Sequence, residues 1–560
     1  MTSWSVHPPL EEAADLARRL NVHPAVMAIL LRRGLRLESD IRGYLNPAIE
    51  NLEKPSAFTD MDKAVARIRR AISSSEKILV YGDYDVDGVT AAAILVPILR
   101  SLGADVEIHL PHRVYEGYGL NIDSLAVWLK RKAGLVITVD NGITSVEAVK
   151  YLKENNVDTI LVDHHVPKDR IPSADAIISG AVPGKGNPDS PLAACGLAFK
   201  LGWALLGDFD KVEPYLDLVT LGTVADLAPV EGDNRILLKW GLPCLSRSKR
   251  AGIRALMEAA RIHPDFVNYR DIAFGLGPRI NAAGRMGSPM EAFRLLTTDN
   301  FLEARNLAQI LEAGNRERQR VEADAYREAA KFVETNLALD ERHVIVVESS
   351  HWHEGVLGIV AARLTERFHR PAIVIALKGG VGKGSGRSVA GFSIFTSVLE
   401  CEDLLDSFGG HAQACGLSIR EEKIPDLRKR LNAAASHVFQ GAKDSLGLWV
   451  ECEITPAELG LQLLQDLEKL APFGPGNPKP LFLSRGMKLR GEIKKRGKDT
   501  LQCWMSDAAG EVTCEVIGFR AYERWQTGSK IKREFDIVYQ PTLKNSNGIR
   551  SITLELESWR

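Results

Sequence analysis

Residues 81 to 90 read YGDYDVDGVT, which puts Asp83, Asp85 and Asp87 into five positions just after the apolar run Ile78-Leu79-Val80. Carboxylates packed this closely repel one another, so stability alone does not select them. Two more stretches have the same build. LVITVDNGIT ends an apolar run in Asp140, and TILVDHH ends one in Asp163, His164 and His165. GTVADLAPV adds Asp226 after an apolar helix or strand. Each stretch alone has the composition of an ordinary turn. Three acidic clusters at successive strand ends of one α/β unit are instead a site, because ligands gather at the carboxyl ends of such strands. Several acids with one or two imidazoles need a compensating charge, and a pair of divalent cations supplies it. Oxygen ligands with a little imidazole suit Mn2+ or Mg2+ better than zinc. Two ions about 3.5 to 4 Å apart, bridged by one carboxylate, would activate water for in-line attack on phosphorus.

The elements that must position these residues are readable in outline. Residues 1–75 are a helical lead-in with polar breaks such as NPAIENLEKPSAF. From about 76, short β-branched strands (KILVYGD, VEIHLPHR, GLVITVDNG, DTILVDHH) alternate with helical stretches such as GVTAAAILVPILRSLGA. That alternation predicts α/β with a doubly wound parallel sheet to about 230 and a mainly helical extension, giving a first domain over 76–300. Residues 301–338 lack proline and are rich in charge, and they predict a connecting helix. A second α/β region starts at HVIVVES and covers 339–444. After Asp444, short strands such as TLQCWMSD, EVTCEVIGF, EFDIVYQPTL and SITLELESW predict a small β-barrel of the oligonucleotide-binding kind over 445–560.

A chain of 560 residues accommodates three or four domains. Its net charge of −1 requires any nucleic-acid affinity to come from local patches. The seven cysteines have no C-x-x-C spacing, which argues for reduced thiols and against a zinc ribbon. The N-terminal stretch is unlike a signal peptide and no apolar run is long enough to span a membrane, so a cytoplasmic, soluble protein is expected.

The motifs GDYDVDGVT, PHRVYEGYG, TVDNGIT, VDHH, GTVADLAPV, PRINAAGR, WHEGVLGIVAAR, GSGRS, GGHAQACG and APFGPGNPKP occur in this order. Together they resemble the DHH phosphoesterase superfamily, and within it the RecJ family of single-strand-specific exonucleases, over nearly the whole chain. The resemblance implies a DHH domain, a DHHA1 domain and an OB-type barrel. It implies 5′→3′ hydrolysis of single-stranded DNA to 5′-mononucleotides, with two Mn2+ or Mg2+ ions, in recombination and mismatch repair. It places Asp85, Asp87, Asp140, His164 and Asp226 as metal ligands with Asp83 beside them, Asp140 as the bridge, and His165 facing the scissile phosphate. One departure is visible: Tyr81 stands where many superfamily members have histidine. A single-strand-binding protein and a RecQ-type helicase are the partners implied, and a monomer is expected. A phosphoesterase acting on small nucleotides and a non-catalytic single-strand clamp are the competing readings; the long chain disfavours the first and the full ligand set the second.

Other residues are suited to holding the strand. GKGSGRS joins Arg387 to the hydroxyls of Ser385 and Ser388, which is good chemistry for a phosphate. GGHAQACG offers His411, PRINAAGR offers Arg279, Asn281 and Arg285, and PHRVYEGYG offers Arg113, Tyr115 and Tyr118. Taken singly, each is more often a glycine turn or a surface arginine. With the resemblance, they are expected to form the channel wall and the pocket for the 5′ end. The most basic stretch, SRGMKLRGEIKKRGKD, holds Lys494, Lys495 and Arg496 and is expected to track a phosphate backbone, with Trp504 and Phe519 available for stacking.

Overall fold

The computed structural model describes residues 3–113, 115–168, 170–188, 191–336, 343–439, 447–497, 499–528, 533–546 and 549–560. The chain divides into two compact units, residues 52–443 and residues 1–51 together with 444–560. The expected boundaries at 338/339 and 444/445 lie outside the described residues.

In the larger unit, strands β1 (Lys77–Tyr81), β2 (Val106–His109), β3 (Ala133–Val139), β4 (Asp158–Val162) and β5 (Ala176–Ile178) form one sheet in the order β2-β1-β3-β4-β5, every pair parallel. The strands are buried on both faces, as Ile78, Leu79, Val80, Ile137, Ile160 and Leu161 show, so apolar runs rather than alternation mark them. This order places the switch point between β1 and β3, where connections leave in opposite directions and a crevice opens. Helices α1 (Val86–Ser101), α2 (Ala194–Leu206), α3 (Leu216–Ala225) and α4 (Gly277–Met286) build the rest of the floor, and α5 (Phe301–Asn336) is the expected long connecting helix.

Beyond α5, β6 (Ile345–Ser349), β7 (Ala372–Lys378), β8 (Val381–Arg387), β9 (Leu405–His411) and β10 (Ala414–Arg420) make a second sheet ordered β9-β10-β8-β7-β6. Only β6 and β7 are parallel. The GKGSGR stretch is therefore a central strand and not a loop. Its glycines serve packing: a Cβ on Gly384 would lie 2.8 Å from Leu417 Cδ1, and one on Gly386 would lie 2.6 Å from Cys415 Sγ. Lys383, Ser385 and Arg387 alternate onto the other face, as strand geometry requires.

In the smaller unit, strands Phe482–Arg496, Thr500–Ser506, Thr513–Gly518, Ile549–Trp559 and Glu534–Ser546 pair in that order, and the first closes onto the last. The lead-in expected over 1–75 divides here. Helices Glu11–Leu20, Pro24–Arg32 and Glu38–Leu45 share one core with the barrel, through Met27, Leu30 and Ile41 beside Phe482, Met505 and Ile537. Strand Trp4–Val6 pairs in parallel with Leu448–Val450. Only the part from residue 52 onward belongs with the first α/β domain. The APFGPGNPKP motif explains part of this union. The buried Asn477 donates to the carbonyls of Leu470 and Pro472 and accepts from the Tyr44 hydroxyl at 2.8 Å and from Arg33. No described helix is long and apolar enough to cross a membrane.

Candidate metal centre and the cleft beside it

Three loops and one helix end supply the acids. Asp85 caps α1, its carboxylate accepting the backbone N–H groups of Asp87 at 3.0 Å and Gly88 at 3.2 Å. Gly88 permits the turn, because a Cβ there would sit 2.6 Å from the Asp83 backbone nitrogen. Asp87 is buried, and its two oxygens accept the N–H groups of Ala194 at 2.6 Å and Cys195 at 2.9 Å, at the N-terminus of α2. Asp140 follows β3 with a φ of 66°. Few residues other than glycine adopt that region, and strain of this kind gathers at functional sites. The buried Asn141 next to it donates to the carbonyls of Tyr81 at 3.3 Å and Val139 at 3.0 Å, which staples the ends of β1 and β3 together. Asp226 is the residue at the C-terminal end of α3.

These positions converge. Ligand-type atoms of Asp83, Asp85 and Asp140 lie within 4.8 Å of one another, as do those of Asp87, His164 and Asp226, and those of Asp140, His164 and His165. Asp140 stands where the groups meet, with Oδ1 3.2 Å from His164 Nε2. Burial raises the carboxyls of Asp83 and Asp140 well above their ordinary range, and repulsion from Asp85 adds to it. Burial together with Asp87 and Asp85 pushes Asp226 up to about 9. Asp83 Oδ1, Asp140 Oδ1 and His164 Nε2 are buried without a hydrogen-bond partner. Such orphans are rare in native structures, and a bound ion is one of their recognised explanations. The donor set therefore fits divalent cations. Tyr81 is no part of the cluster, since its buried hydroxyl accepts the Asn121 N–H at 3.3 Å. Asp83 contributes an oxygen to the group instead.

Asp163, unlike its motif neighbours, turns its carboxylate inward. It accepts the N–H groups of Ile143 at 2.9 Å and His165 at 3.1 Å, and it lies 2.8 Å from His165 Nδ1. Burial pushes its carboxyl up, but the bonds to His165 and Ile143 outweigh this and hold it below its ordinary value. An ionised carboxylate only accepts, so His165 carries its proton on Nδ1.

Beside the cluster lies a cleft of about 1200 Å³ within the same unit. One wall carries Arg113, Tyr118, His164 and His165, and the other carries Lys383, Ser385 and His411. Arg387 lies just behind Ser385, donating to its hydroxyl at 3.2 Å. Arg285 donates to the Gly355 carbonyl at 2.9 Å, and Arg113 lies over the Tyr84 ring. Burial and the neighbouring guanidiniums of Arg113 and Arg318 lower the pKa of Arg285, and burial with Arg113 lowers that of Arg387. Among the described residues, no carboxylate forms an ion pair with Arg113, Arg285 or Arg387.

Three residues expected on the strand have other partners. Arg279 pairs with Glu312 of α5 at 2.6 Å, Asn281 accepts the Val86 N–H at 3.2 Å, and the Ser388 hydroxyl donates to the Phe392 carbonyl at 2.7 Å. These contacts tie them to neighbouring elements. Lys494, Lys495 and Arg496 lie in the other unit, on the outer end of a hairpin that pairs Arg496 with Thr500. The amides of Ala194 and Cys195 were not legible in the sequence, because nothing local ties them to an aspartate more than a hundred residues away.

Fold and site define the class as the DHH family: residues 77–223 match the model described as "DHH family, N-terminal domain", and residues 341–437 match the "DHHA1 domain". Residues 450–558 match the "RecJ OB domain". The chain is 35% identical to the single-stranded-DNA-specific exonuclease RecJ of Bacillus subtilis, covering 93% of itself and 66% of that protein, so it spans just under two thirds of that relative. It is 32% identical to the RecJ of Haemophilus influenzae, covering 91% of itself and 92% of the relative. A crystal structure of RecJ from Thermus thermophilus in complex with Mn2+ superposes with a TM-score of 0.84 at 30% identity, over 100% of this chain and 79% of the other. The same protein in complex with Mg2+ gives 0.77 at 29% identity, over 100% and 78%. The chain belongs to the RecJ family.

Proposed function

We propose that this chain is a metal-dependent exonuclease that hydrolyses single-stranded DNA from the 5′ end, one nucleotide at a time. The observation that carries the reading is a carboxylate–imidazole cluster with three orphaned buried atoms, opening into a cleft lined by Arg113 and Lys383, with Arg387 just behind the lining Ser385. Similarity to RecJ exonucleases over two thirds or more of their own length supports it. Asp83, Asp85 and Asp140 would hold one divalent cation, Mn2+ or Mg2+, and Asp87, His164 and Asp226 the other, with Asp140 shared. When bound, the two ions supply the charge that offsets the carboxylates and that polarises a water and the phosphodiester. His165, held on Asp163 through Nδ1, lines the cleft beside the cluster. Arg387, Ser385, Arg285 and Arg113 would hold the 5′ phosphate, which carries more charge than an internal diester. A strand anchored there sets its first diester over the cluster, so cleavage proceeds stepwise.

A cleft bounded by two sheet domains admits one backbone more readily than a duplex, so blunt ends should resist digestion without a helicase. Work in the cytoplasm as a monomer, in recombination and mismatch repair, beside a single-strand-binding protein and a RecQ-type helicase, completes the proposal. The test compares 5′-phosphate and 5′-hydroxyl oligonucleotides with Mn2+. Wild type should release mononucleotides from the 5′ end and leave circular single strands intact. Arg387→Ala should lose about tenfold or more on 5′-phosphate strands and much less on 5′-hydroxyl strands. Equal losses on both would leave Arg387 a general backbone contact, and nicking of circles would refute end anchoring.

A further inference from the structure

The loop from Leu110 to Asn121 delivers Arg113 and Tyr118 to the cleft, yet among its described residues there is no regular element that would hold them there. One carboxylate gathers several of its contacts. Glu116 accepts the backbone N–H of His112 at 2.7 Å, lies 2.8 Å from His109 Nε2 and accepts the hydroxyl of Ser124. His109 is the last residue of β2, His112 opens the loop, and Ser124 lies in the helix Ile122–Lys130 that follows it. Glu116 thus draws both ends of the loop and the strand before it to one point. Beneath this point, the His109 ring packs on Tyr81 with centroids 4.7 Å apart, and Tyr81 in turn accepts the N–H of Asn121.

At the other side of the loop, the Tyr118 hydroxyl lies 3.0 Å from Nδ1 and 3.3 Å from Nε2 of His165, and 3.4 Å from the Asp140 carbonyl. A phenol carries its proton at neutral pH and can donate it. Asp163 already takes the Nδ1 proton, so the phenol is available to Nε2. We infer that Glu116 is a positioning residue for His165, acting through Tyr118: it fixes the loop, the loop fixes the phenol, and the phenol with Asp163 fixes the imidazole. This rests on the exonuclease reading only for its kinetic consequence, not for the geometry.

Full-length wild type, Glu116→Gln, Tyr118→Phe and the double variant should be compared on a 5′-phosphorylated single strand under single-turnover conditions with Mn2+. Each single change should slow cleavage about tenfold, since small misplacement of a reacting group is costly. The double variant should be no slower than Glu116→Gln, because Glu116 acts through the loop that carries the phenol. Mn2+ binding should stay within about twofold in all four, as no proposed ligand is touched. A double variant slowed about a hundredfold would show independent effects and overturn the inference. Loss of Mn2+ binding in Glu116→Gln would overturn it too, by showing collapse of the centre. If Glu116→Gln fails to fold, Ser124→Ala removes only one of the three bonds and enters the same cycle. A readout without substrate separates this inference from the proposed activity. In 15N-histidine spectra, the His165 ring signal should shift in Glu116→Gln and Tyr118→Phe alike. An unmoved signal in Glu116→Gln would sink the inference even if the enzyme cuts DNA.

Discussion

Asp140 concentrates what this centre asks of one residue. Its backbone sits at a φ of 66°, the residue is 2% exposed, and its carboxyl is raised by burial and by Asp85, Asp87, Asp83 and Asp226. Without cations such a group opposes folding, because a buried charge among like charges lacks compensation. Asp140→Asn keeps the shape, tolerates the left-handed backbone and removes one charge. In metal-free protein it should stabilise the fold by about 1 to 2 kcal/mol, measured by urea unfolding. It should lower cleavage at least ~100-fold and abolish the rise in Tm that Mn2+ gives the wild type. A variant that is less stable when metal-free, or that still responds fully to Mn2+, would refute the shared-ligand role.

At the scale of elements, the centre depends on how closely β1, α1 and α2 approach. Gly88 lies against the Asp83 backbone, with the nitrogen, oxygen and Cα all within 2.8 Å of where a Cβ would stand. Backbone cannot rotate aside as a side chain can. Gly88→Ala should therefore push the Asp83–Asp87 turn off α1, costing about 1 to 3 kcal/mol of stability and most of the Mn2+-induced rise in Tm. Thermal unfolding with and without Mn2+ measures both effects. An alanine variant with unchanged metal response would show that the turn adapts. Gly222 repeats the theme from α3, where a Cβ would meet Thr90, Cys195 and Asp87.

For the whole molecule, the two units invite separate tests. The barrel's basic hairpin carries Lys494, Lys495 and Arg496, and Trp504 stands half exposed on the next strand. Charges of this kind bind phosphates by releasing counterions. Replacing the three by glutamine should weaken binding to long single strands and lower the salt slope by about 2, at roughly 0.7 per charge. Cleavage of strands only a few nucleotides long should scarcely change, because the proposed metal and end-anchoring residues all lie in residues 52–443. Equal losses on short and long strands would assign these cations to the catalytic cleft instead. The measurement is fluorescence anisotropy across a salt series, alongside hydrolysis of both lengths.

The sequence by itself determined the parallel sheet, the long connecting helix and the barrel, because those signals are local: β-branched runs, a charged stretch without proline, and short strands between turns. It also determined which acids would meet, since Asp83, Asp85, Asp87, Asp140 and His164 each end or follow a strand, and a doubly wound sheet brings those ends together. Tertiary structure alone decided which protein partners the other residues meet. Arg279, Asn281 and Ser388 look like strand contacts in sequence, yet each meets a protein partner far along the chain or across a turn. The glycines of GKGSGR, taken singly, look like a turn, but they lie in a central strand whose neighbours need their missing Cβ atoms. The first fifty-one residues look like a preface to the α/β domain, but their apolar faces complete the core of a barrel that begins almost four hundred residues later. Periodicity reports which face of an element is apolar, and it carries no information about which distant surface will cover that face.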